Sequence, residues 1–333
     1  MTVSLRNKDN PFISILTPVL NEARLIETLV RTLTECLLAL TSRFEILVID
    51  DGSEDGTAEE VRRLESESQG RLKLIKFSRN FGKENALTAG LKYASGDAVI
   101  LIDSDLQHPL EMIPAFLEKW REGYDNVYGV RIRTPKDQGW LGRCFAETFY
   151  RCNRYLMEMD LPANAGDFRL LDRKVVDAIN QLPERSRFMK GLYAWVGFKS
   201  LGLPYKILPR GSGKSRFNFF RLFALAMTGV TAFSNVPLRI WSAVGALVSG
   251  CSFVYGLFLG VRTLIYGNEV SGWTTLAVGM FFLGGIQLLS IGVVAEYIGR
   301  IFNEVKHRPH YVIEEKIGFH PDSGQYTPRL SRD

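Results

Sequence analysis

The sequence has few cysteines, and its beginning lacks the features of a secretion signal. The four cysteines show no paired spacing, so neither a disulfide framework nor a zinc motif is predicted, and free thiols of a reducing compartment are expected. Residues 1–12 contain no apolar core of the kind that signal peptides have. There is no internal repeat and no basic run that would follow a phosphate backbone, so we expect no nucleic-acid partner. The soluble part of the chain is expected in the cytoplasm.

Charged residues are absent from two long segments in the last third of the chain. None occurs in 240–261 or in 270–295, and each segment exceeds the roughly 20 residues that cross a hydrocarbon layer. Core helices of soluble proteins are usually shorter and carry a polar face. The sequence therefore predicts two transmembrane helices, at about 240–261 and 271–295, within a membrane region 236–300.

Basic residues flank this membrane region on both sides: Lys214, Arg216, Arg221, Arg239, Arg300, Lys306 and Arg308. Because cytoplasmic flanks carry the excess of Lys and Arg, both termini are expected in the cytoplasm, including the tail 301–333. Residues 214–235 are rich in phenylalanine but interrupted by charge, which predicts an amphipathic interfacial helix. Gly256 and Gly260 have the spacing that lets two spans approach, so a homo-oligomer through the transmembrane helices stays open. The net charge of +5 suits an anionic lipid surface or a phosphate-bearing substrate.

In the first part of the chain, short apolar runs alternate with helix-like stretches. This alternation predicts an α/β domain, spanning 1–213, whose mostly parallel sheet is covered by helices. The predicted strands are Ile13–Val19, Phe44–Ile49, Leu72–Phe77, Ala98–Ile102 and Asn126–Val130. The predicted helices are Ala23–Leu40, Ala58–Glu67, Glu84–Ala94 and Leu110–Arg121.

Acidic residues follow three of the predicted strands. Glu22 comes after the first strand, Asp51 after the second, and Asp103 and Asp105 after the fourth. Open parallel sheets bind ligands beyond the carboxyl ends of their strands, so these residues are expected at one rim. Asp103 and Asp105 can share a hard cation, and oxygen ligands suit Mg²⁺ or Mn²⁺. Such a cation would neutralise a diphosphate, whereas Asp50 and Asp51 could accept hydrogen bonds from a nucleobase or ribose.

Four blocks of the sequence together resemble a known family. They are Leu16-Thr-Pro-Val-Leu-Asn-Glu22, Ile49-Asp-Asp-Gly-Ser53, Ser78-Arg-Asn-Phe-Gly-Lys-Glu-Asn-Ala-Leu-Thr-Ala-Gly90 and Asp103-Ser-Asp-Leu-Gln-His-Pro109. They resemble the signature blocks of family 2 glycosyltransferases, which have a GT-A (Rossmann-like) fold. More narrowly, they resemble the polyprenyl-phosphate glycosyltransferases, a group that includes bacterial undecaprenyl-phosphate glucosyltransferases and dolichol-phosphate mannose synthases. The likeness continues through Gly166-Asp-Phe-Arg-Leu170, Arg210-Gly-Ser-Gly-Lys-Ser215, Pro237-Leu-Arg239 and Glu304-Val-Lys-His-Arg-Pro309, and so covers nearly the whole chain.

The resemblance implies an inverting, metal-dependent enzyme of the bacterial inner membrane. It implies transfer of a sugar from a nucleotide diphosphate to polyprenyl phosphate, giving a β-linked product. By match to the blocks, the donor nucleotide is expected at Pro18, Asn21, Glu22, Asp51 and Asp103, and Mg²⁺ or Mn²⁺ at Asp103, Asp105 and Gln107. The acceptor phosphate is expected at Arg131, Arg143, Arg210, Lys214 and Ser215, because an anionic acceptor that approaches an anionic donor needs fixed positive charge.

Asp105 and Asp167 are the expected catalytic residues. Asp167 is either a base or a group that orients basic side chains around the acceptor. The second alternative arises because a lipid phosphate, with a second pKa near ~6, is mostly ionised at neutral pH and is already nucleophilic.

The resemblance leaves the sugar open. The block Asn80-Phe-Gly-Lys-Glu84 and residues 300–311 are most similar to the bacterial glucosyltransferases, which favours UDP-glucose over GDP-mannose and modified UDP-pentoses. A processive polysaccharide synthase is an alternative, but the chain has no Gln-x-x-Arg-Trp sequence. A non-catalytic membrane scaffold that binds a nucleotide is another alternative.

Two local patterns have simpler explanations than the ones they first suggest. Gly211-Ser-Gly-Lys-Ser215 is similar to a phosphate-binding P-loop, but Leu208 stands where that motif needs glycine. Its basic residues are expected to face the lipid phosphate. His108 lies beside the acidic pair without a second histidine nearby, so it is expected to pack within its loop.

Overall fold

The computed structural model describes two compact units of the chain. The described residues are 10–132, 165–184, 187–206 and 272–319, with scattered positions between 244 and 266. The first unit holds the described residues up to 206 together with 309–319. The second holds those between 244 and 308.

The first unit is a sheet with helices. Its strands are β1 (Ile13–Val19), β2 (Phe44–Asp50), β3 (Leu72–Phe77), β4 (Ala98–Leu101), β5 (Asn126–Arg131), β6 (Ala165–Asp172), β7 (Ser200–Tyr205) and β8 (Ile313–Ile317). Its helices are α1 (Ile26–Leu38), α2 (Thr57–Glu67), α3 (Lys83–Tyr93), α4 (Met112–Arg121), α5 (Arg173–Asn180) and α6 (Met189–Trp195).

The strand order is β7-β5-β6-β4-β1-β2-β3-β8. β1 pairs in parallel with β2 on one side and β4 on the other, and β2–β3 and β5–β7 are also parallel. β4–β6, β5–β6 and β3–β8 are antiparallel. The prediction of a mostly parallel α/β sheet is confirmed. The strand order reverses at β1, so the carboxyl ends of β1, β2 and β4 border one crevice. Open parallel sheets bind ligands at such a topological switch point.

The core forms because β1 and β2 are covered on both faces, and every residue of both strands is buried. On one face, Ile13 and Ile15 belong to an apolar cluster with Leu29 and Leu33, which lie on the apolar stripe of α1. On the other face, Leu16 meets α3 at Gly90, where an added Cβ would lie 2.0 Å from Leu16 Cδ1. Helix α3 therefore depends on the absence of a side chain at this position to approach β1.

Gly90→Ala is expected to lower the free energy of unfolding by about 1–3 kcal/mol, the usual cost of forcing an extra methyl group into a packed core. Denaturant unfolding of the purified protein measures it. In a Leu16→Ala background the same substitution should cost less, because the clashing side chain has been removed. A Gly90→Ala protein as stable as wild type would contradict the close packing of α3 on β1.

The last strand of the sheet comes from the predicted tail. β8 pairs antiparallel with β3, and its residues lie in the segment 301–333 that was predicted as a cytoplasmic tail. Arg62 Nη2 lies 2.7 Å from Glu315 Oε2, and the Tyr311 ring stacks on Phe77 with centroids 4.9 Å apart. Residues 309–319 thus belong to the sheet unit.

The second unit contains α7 (Trp273–Val305), a helix of 33 residues. Within it, Phe282–Val305 is long and apolar enough to cross a membrane, and it is the only such helix in the described part of the chain. Large apolar side chains such as Leu288 are exposed, at 72% for that residue. The helix continues ten residues beyond the predicted end of the second span at 295. The described residues between 244 and 266 are helical, but the two-span arrangement stays a prediction, and the predicted boundaries near 213 and 235 lie outside the described residues.

Candidate functional site

The loops after β1 and β2 are tied together by hydrogen bonds. The Asn21 backbone N–H donates to Ser53 Oγ over 2.9 Å, and Asn21 Oδ1 accepts from the Glu54 N–H over 3.0 Å. Asn21 has a φ of 57°, a left-handed conformation that asparagine tolerates better than most residues. The Glu22 N–H donates to Thr57 Oγ1. The two loops therefore form one connected wall beside the end of β1.

Glu22 lies in a negative environment. Burial is the largest cause that raises the pKa of its carboxyl group, followed by the charges of Asp105 and Asp55. The structure thus brings the residue after β1 within electrostatic reach of the acidic pair after β4, as the sequence predicted. Pro18 is buried near the end of β1, in register with Ile49 of β2.

Asp51 holds the loop that leads into α3. Its carboxylate accepts the backbone N–H of Phe81 over 2.7 Å and that of Gly82 over 2.9 Å. Burial is the largest influence on this carboxyl group and raises its pKa, although these hydrogen bonds act in the opposite direction. Gly52, with a φ of 77°, allows the close approach, because a Cβ there would lie 2.4 Å from the Arg79 carbonyl carbon. A ligand role for Asp51 stays a prediction, since the structure gives this carboxylate a loop-binding role.

The acidic pair lies on a tight turn after β4. Asp105 Oδ1 accepts the Gln107 N–H over 3.1 Å, and Leu106 has a φ of 55°. The Asp103 N–H points to His108 Nδ1 over 3.4 Å. The His108 ring stacks on Phe168 with centroids 4.7 Å apart, and burial lowers the pKa of its imidazole. His108 thus has a packing role, as expected, but its ring packs on β6 and not only within its own loop.

Lys83 joins two of the predicted site residues. Its Nζ lies 2.6 Å from Asp103 Oδ1 and 2.7 Å from Asp167 Oδ2. Burial opposes the ammonium charge, but Asp167 and Asp103 outweigh it and raise the pKa of Lys83 above its ordinary value. One ammonium group therefore connects the turn after β4 to β6.

Asp167 is an ionised carboxylate in a nearly buried position. Burial alone would raise its pKa, but the charges of Lys83 and Lys190 lower it below the usual value. Its Oδ1 is buried and accepts no hydrogen bond from the described residues. Nearby, the guanidinium of Arg169 lies 3.8 Å from the centre of the Tyr193 ring and donates to the Gly166 carbonyl. Arg169 thus fixes the backbone that carries Asp167.

Arg131 lies at the end of β5 beside this segment. Its Nε donates to the Tyr205 hydroxyl over 3.1 Å, and a Cβ on Gly166 would lie 3.9 Å from the same nitrogen. The structure therefore places one predicted acceptor-binding arginine next to the residue that precedes Asp167. The other predicted acceptor residues, Arg143, Arg210, Lys214 and Ser215, lie outside the described residues.

Glu84, which follows Lys83, is a titratable group that sequence reasoning did not single out. One of its oxygens accepts the Met189 N–H over 2.8 Å. Burial, aided by the negative charge of Asp167, raises the pKa of its carboxyl group to about 7. Lys83 and Glu84 both belong to the block Asn80–Glu84, whose likeness to the family was the signal that could have pointed to them.

Glu84 predicts a pH dependence of stability. Its pKa in the folded protein exceeds the ordinary value of 4.5, so the folded state binds the proton more tightly than the unfolded state. Between about pH 4.5 and 7, stability should fall as the pH rises, by on the order of 2 kcal/mol. Thermal unfolding measured across this pH range should show that Glu84→Gln removes this part of the dependence of stability on pH. The exposed Glu118→Gln serves as control and should leave the slope unchanged, and an equal slope in wild type and Glu84→Gln would contradict the assignment.

The donor atoms at the turn after β4 fit a hard divalent cation by their chemistry. Asp103 and Asp105 supply carboxylate oxygens, and Gln107 adds an amide oxygen. Among the described residues, no group of three or more His, Cys, Asp or Glu side chains is arranged to hold a metal ion. A cation at this turn would therefore have few protein ligands, as is usual for Mg²⁺ that also binds substrate phosphates.

Comparison with known proteins places the chain in a family. It is 44% identical over 306 residues to an uncharacterised glycosyltransferase of Synechocystis sp., and the aligned region covers 92% of this chain and 96% of that protein. It is 45% identical over 304 residues to the bactoprenol glucosyl transferase of Shigella phage SfV, and the aligned region covers 91% of this chain and 98% of that protein. The family profile described as glycosyl transferase family 2 matches residues 14–179. The chain belongs to glycosyltransferase family 2.

This family 2 glycosyltransferase also matches a second profile. The GtrB C-terminal hairpin covers residues 236–301. The resemblance stated from the sequence blocks is thereby confirmed, both for the family and for the likeness to bacterial bactoprenol glucosyl transferases. A crystal structure of glucosyl-3-phosphoglycerate synthase from Mycobacterium tuberculosis shares 19% identity with it, covering 67% of this chain and 78% of that one, with a TM-score of 0.45. A likeness at this level says nothing about the substrate.

Proposed function

We propose that this family 2 glycosyltransferase transfers glucose from UDP-glucose to polyprenyl phosphate at a membrane. The observation that carries the proposal is the high identity to bactoprenol glucosyl transferases over almost the full length of both chains. Bactoprenol is a polyprenol, so the acceptor class follows from those relatives. The acidic rim of the sheet supports the proposal, because a nucleotide diphosphate needs a cation site beside it.

The donor is proposed to bind beyond the ends of β1, β2 and β4. Mg²⁺ or Mn²⁺ held by Asp103, Asp105 and Gln107 would bind the diphosphate and stabilise the charge on the leaving nucleotide. The wall formed by Asn21 and Glu22 borders this crevice on one side. The nucleobase of the donor is proposed to lie near Asp51, as the sequence blocks imply.

The acceptor phosphate is proposed to enter beside Asp167. Arg131 supports this proposal, because its guanidinium lies next to Gly166. Arg143, Arg210, Lys214 and Ser215 are proposed as further contacts, as the family resemblance implies. Asp167 is proposed to orient basic side chains and to remove a proton only from the minority monoanion of the acceptor. A single displacement at the anomeric carbon then inverts the configuration and gives a β-linked product.

The membrane region is proposed to form two spans, near 240–261 and 271–295, preceded by an interfacial helix at 214–235. The hairpin profile over 236–301 and the long apolar helix Phe282–Val305 support this arrangement. Flanking basic residues support cytoplasmic termini in a bacterial inner membrane. For the oligomeric state, a homo-oligomer formed through the two spans is proposed as an alternative to a monomer.

A transfer assay tests the proposed function. The full-length protein in lipid nanodiscs with undecaprenyl phosphate is given radiolabelled UDP-glucose, GDP-mannose or a UDP-pentose, each with Mg²⁺ or Mn²⁺. The expected result is label in the lipid fraction from UDP-glucose, with a β-linkage by NMR. Label from GDP-mannose alone would identify a mannose synthase, and a growing polymer would identify a processive synthase. Donor binding without transfer would favour a scaffold.

A further inference from the structure

Lys83 occupies a position that its own helix does not favour. It is the first residue of α3, where the partial positive charge of the helix dipole repels a cation and attracts an anion. Its side chain is 44% exposed and could extend into solvent, yet its ammonium group lies between Asp103 and Asp167. The two carboxylates, rather than the helix, therefore determine where this charge lies.

Lys83 contacts Asp103, which is one of the residues predicted to bind a divalent cation. Lys83 Nζ lies 2.6 Å from Asp103 Oδ1, within the range of a charge-assisted hydrogen bond. A divalent cation bound to the same carboxylate would lie close to this ammonium group and repel it. The contact with Asp167 Oδ2 uses a different carboxylate from the one proposed for the cation, so Lys83 can keep this contact when its ammonium group moves away from Asp103.

We propose that Lys83 is the counter-ion of the metal-free site and that a divalent cation displaces it from Asp103. The inference rests on the proposed function for the identity of the cation site. Without the cation, Lys83 holds the turn after β4 and the Asp167 segment together. When the cation binds, Lys83 keeps Asp167 as its partner. Lys83 is thus a positioning residue that couples cation binding to the surroundings of Asp167.

The competition between Lys83 and the cation can be measured without any transfer reaction. Mn²⁺ alone is titrated into the full-length protein in nanodiscs without acceptor lipid, and free Mn²⁺ is followed by electron paramagnetic resonance. Lys83→Met removes the competitor, so the Kd for Mn²⁺ should fall about tenfold, the scale of one charge-assisted contact. Lys83→Gln is a second variant that keeps a polar side chain, and it should shift the Kd in the same direction. Circular dichroism confirms that each variant is folded.

Lys190→Met is the matched control. It removes the same charge from an exposed side chain on α6, whose charge acts on Asp167 and Glu84. Because Lys190 has no ion pair with Asp103 among the described contacts, its removal should change the Kd by less than about threefold. Lys83→Arg keeps the charge and should retain a Kd near that of wild type.

Three results would overturn the inference. One is an unchanged Kd in both Lys83→Met and Lys83→Gln, and another is an equal decrease in Lys190→Met, which would show a general effect of charge. The third is the absence of Mn²⁺ binding by wild type and every variant, which would also remove the proposed metal site. Transfer from UDP-glucose by the same wild-type preparation tests the proposed function separately, so the two failures are distinguishable.

Discussion

Replacing Asp105 by asparagine is expected to reduce sugar transfer by on the order of a hundred- to a thousandfold while the protein stays folded. Asparagine keeps the shape of the side chain and can still accept the Gln107 N–H that closes the turn. It removes the negative charge that would balance the cation beside the donor diphosphate. Transfer of labelled glucose to undecaprenyl phosphate, at saturating donor, gives the size of the loss.

Asp97→Asn is the matched control for this substitution. Asp97 precedes β4 at the opposite end of the strand from Asp105, and its carboxylate accepts the Phe12 N–H. An asparagine oxygen can accept the same hydrogen bond, so activity should stay near that of wild type. Full activity of Asp105→Asn, or of the wild-type protein in excess chelator, would rule out the metal assignment.

Asp167→Asn is expected to remove most activity near pH 6 and to recover part of it as the pH rises. The acceptor phosphate loses its last proton through a pKa near ~6, so at higher pH it needs no base. In the wild-type enzyme, the titration of Asp167 does not contribute to the pH dependence of activity in this range. The charges of Lys83 and Lys190 outweigh the effect of burial and keep the pKa of its carboxyl group below the usual value. Glu84 titrates in the same range, because burial raises the pKa of its carboxyl group to about 7, so the profile is also measured in the Glu84→Gln background, and the rise that remains there reports on the acceptor.

The profile is measured from pH 6 to pH 9 under saturating donor and lipid. Binding of UDP and of the lipid is measured in parallel, because loss of the Lys83 contact could weaken either of them. A variant that binds both substrates but stays equally inactive over the whole range would show that Asp167 is an indispensable base. Retention of the anomeric configuration in the product of the wild-type enzyme would exclude the single displacement.

Strands that are buried on both faces could be predicted from the sequence. β1 matches its predicted bounds, and β2 and β4 differ by one residue, because continuous apolar runs define a central strand. β3 also matches its predicted bounds, although Lys73 and Lys76 interrupt its apolar run. β8 could not be found in this way. Its sequence, Ile-Glu-Glu-Lys-Ile, is mostly charged, and it becomes a strand only by pairing with the edge of β3.

The sequence predicted which strand ends carry the candidate site residues, but not the contacts that these residues make. Strand ends place Glu22 and Asp105 on one rim, and fold rules for parallel sheets are sufficient for that. The contact of Lys83 with Asp103 and Asp167 joins three segments that are distant in sequence, so no local pattern encodes it. The engagement of Asp51 by backbone N–H groups likewise depends on how the loop before α3 returns to β2.

Strand β8 also determines the order in which the sheet can be completed during synthesis. The chain leaves the ribosome from its N-terminus, so β3 is made long before β8, and helix α7 is made between them. Until β8 arrives, the outer edge of β3 has unpaired backbone N–H and C=O groups, and such edges can pair with strands of other chains. A nascent chain that stalls before Ile313 therefore exposes an open β-edge to its neighbours, even if every residue of the crevice has already been synthesised.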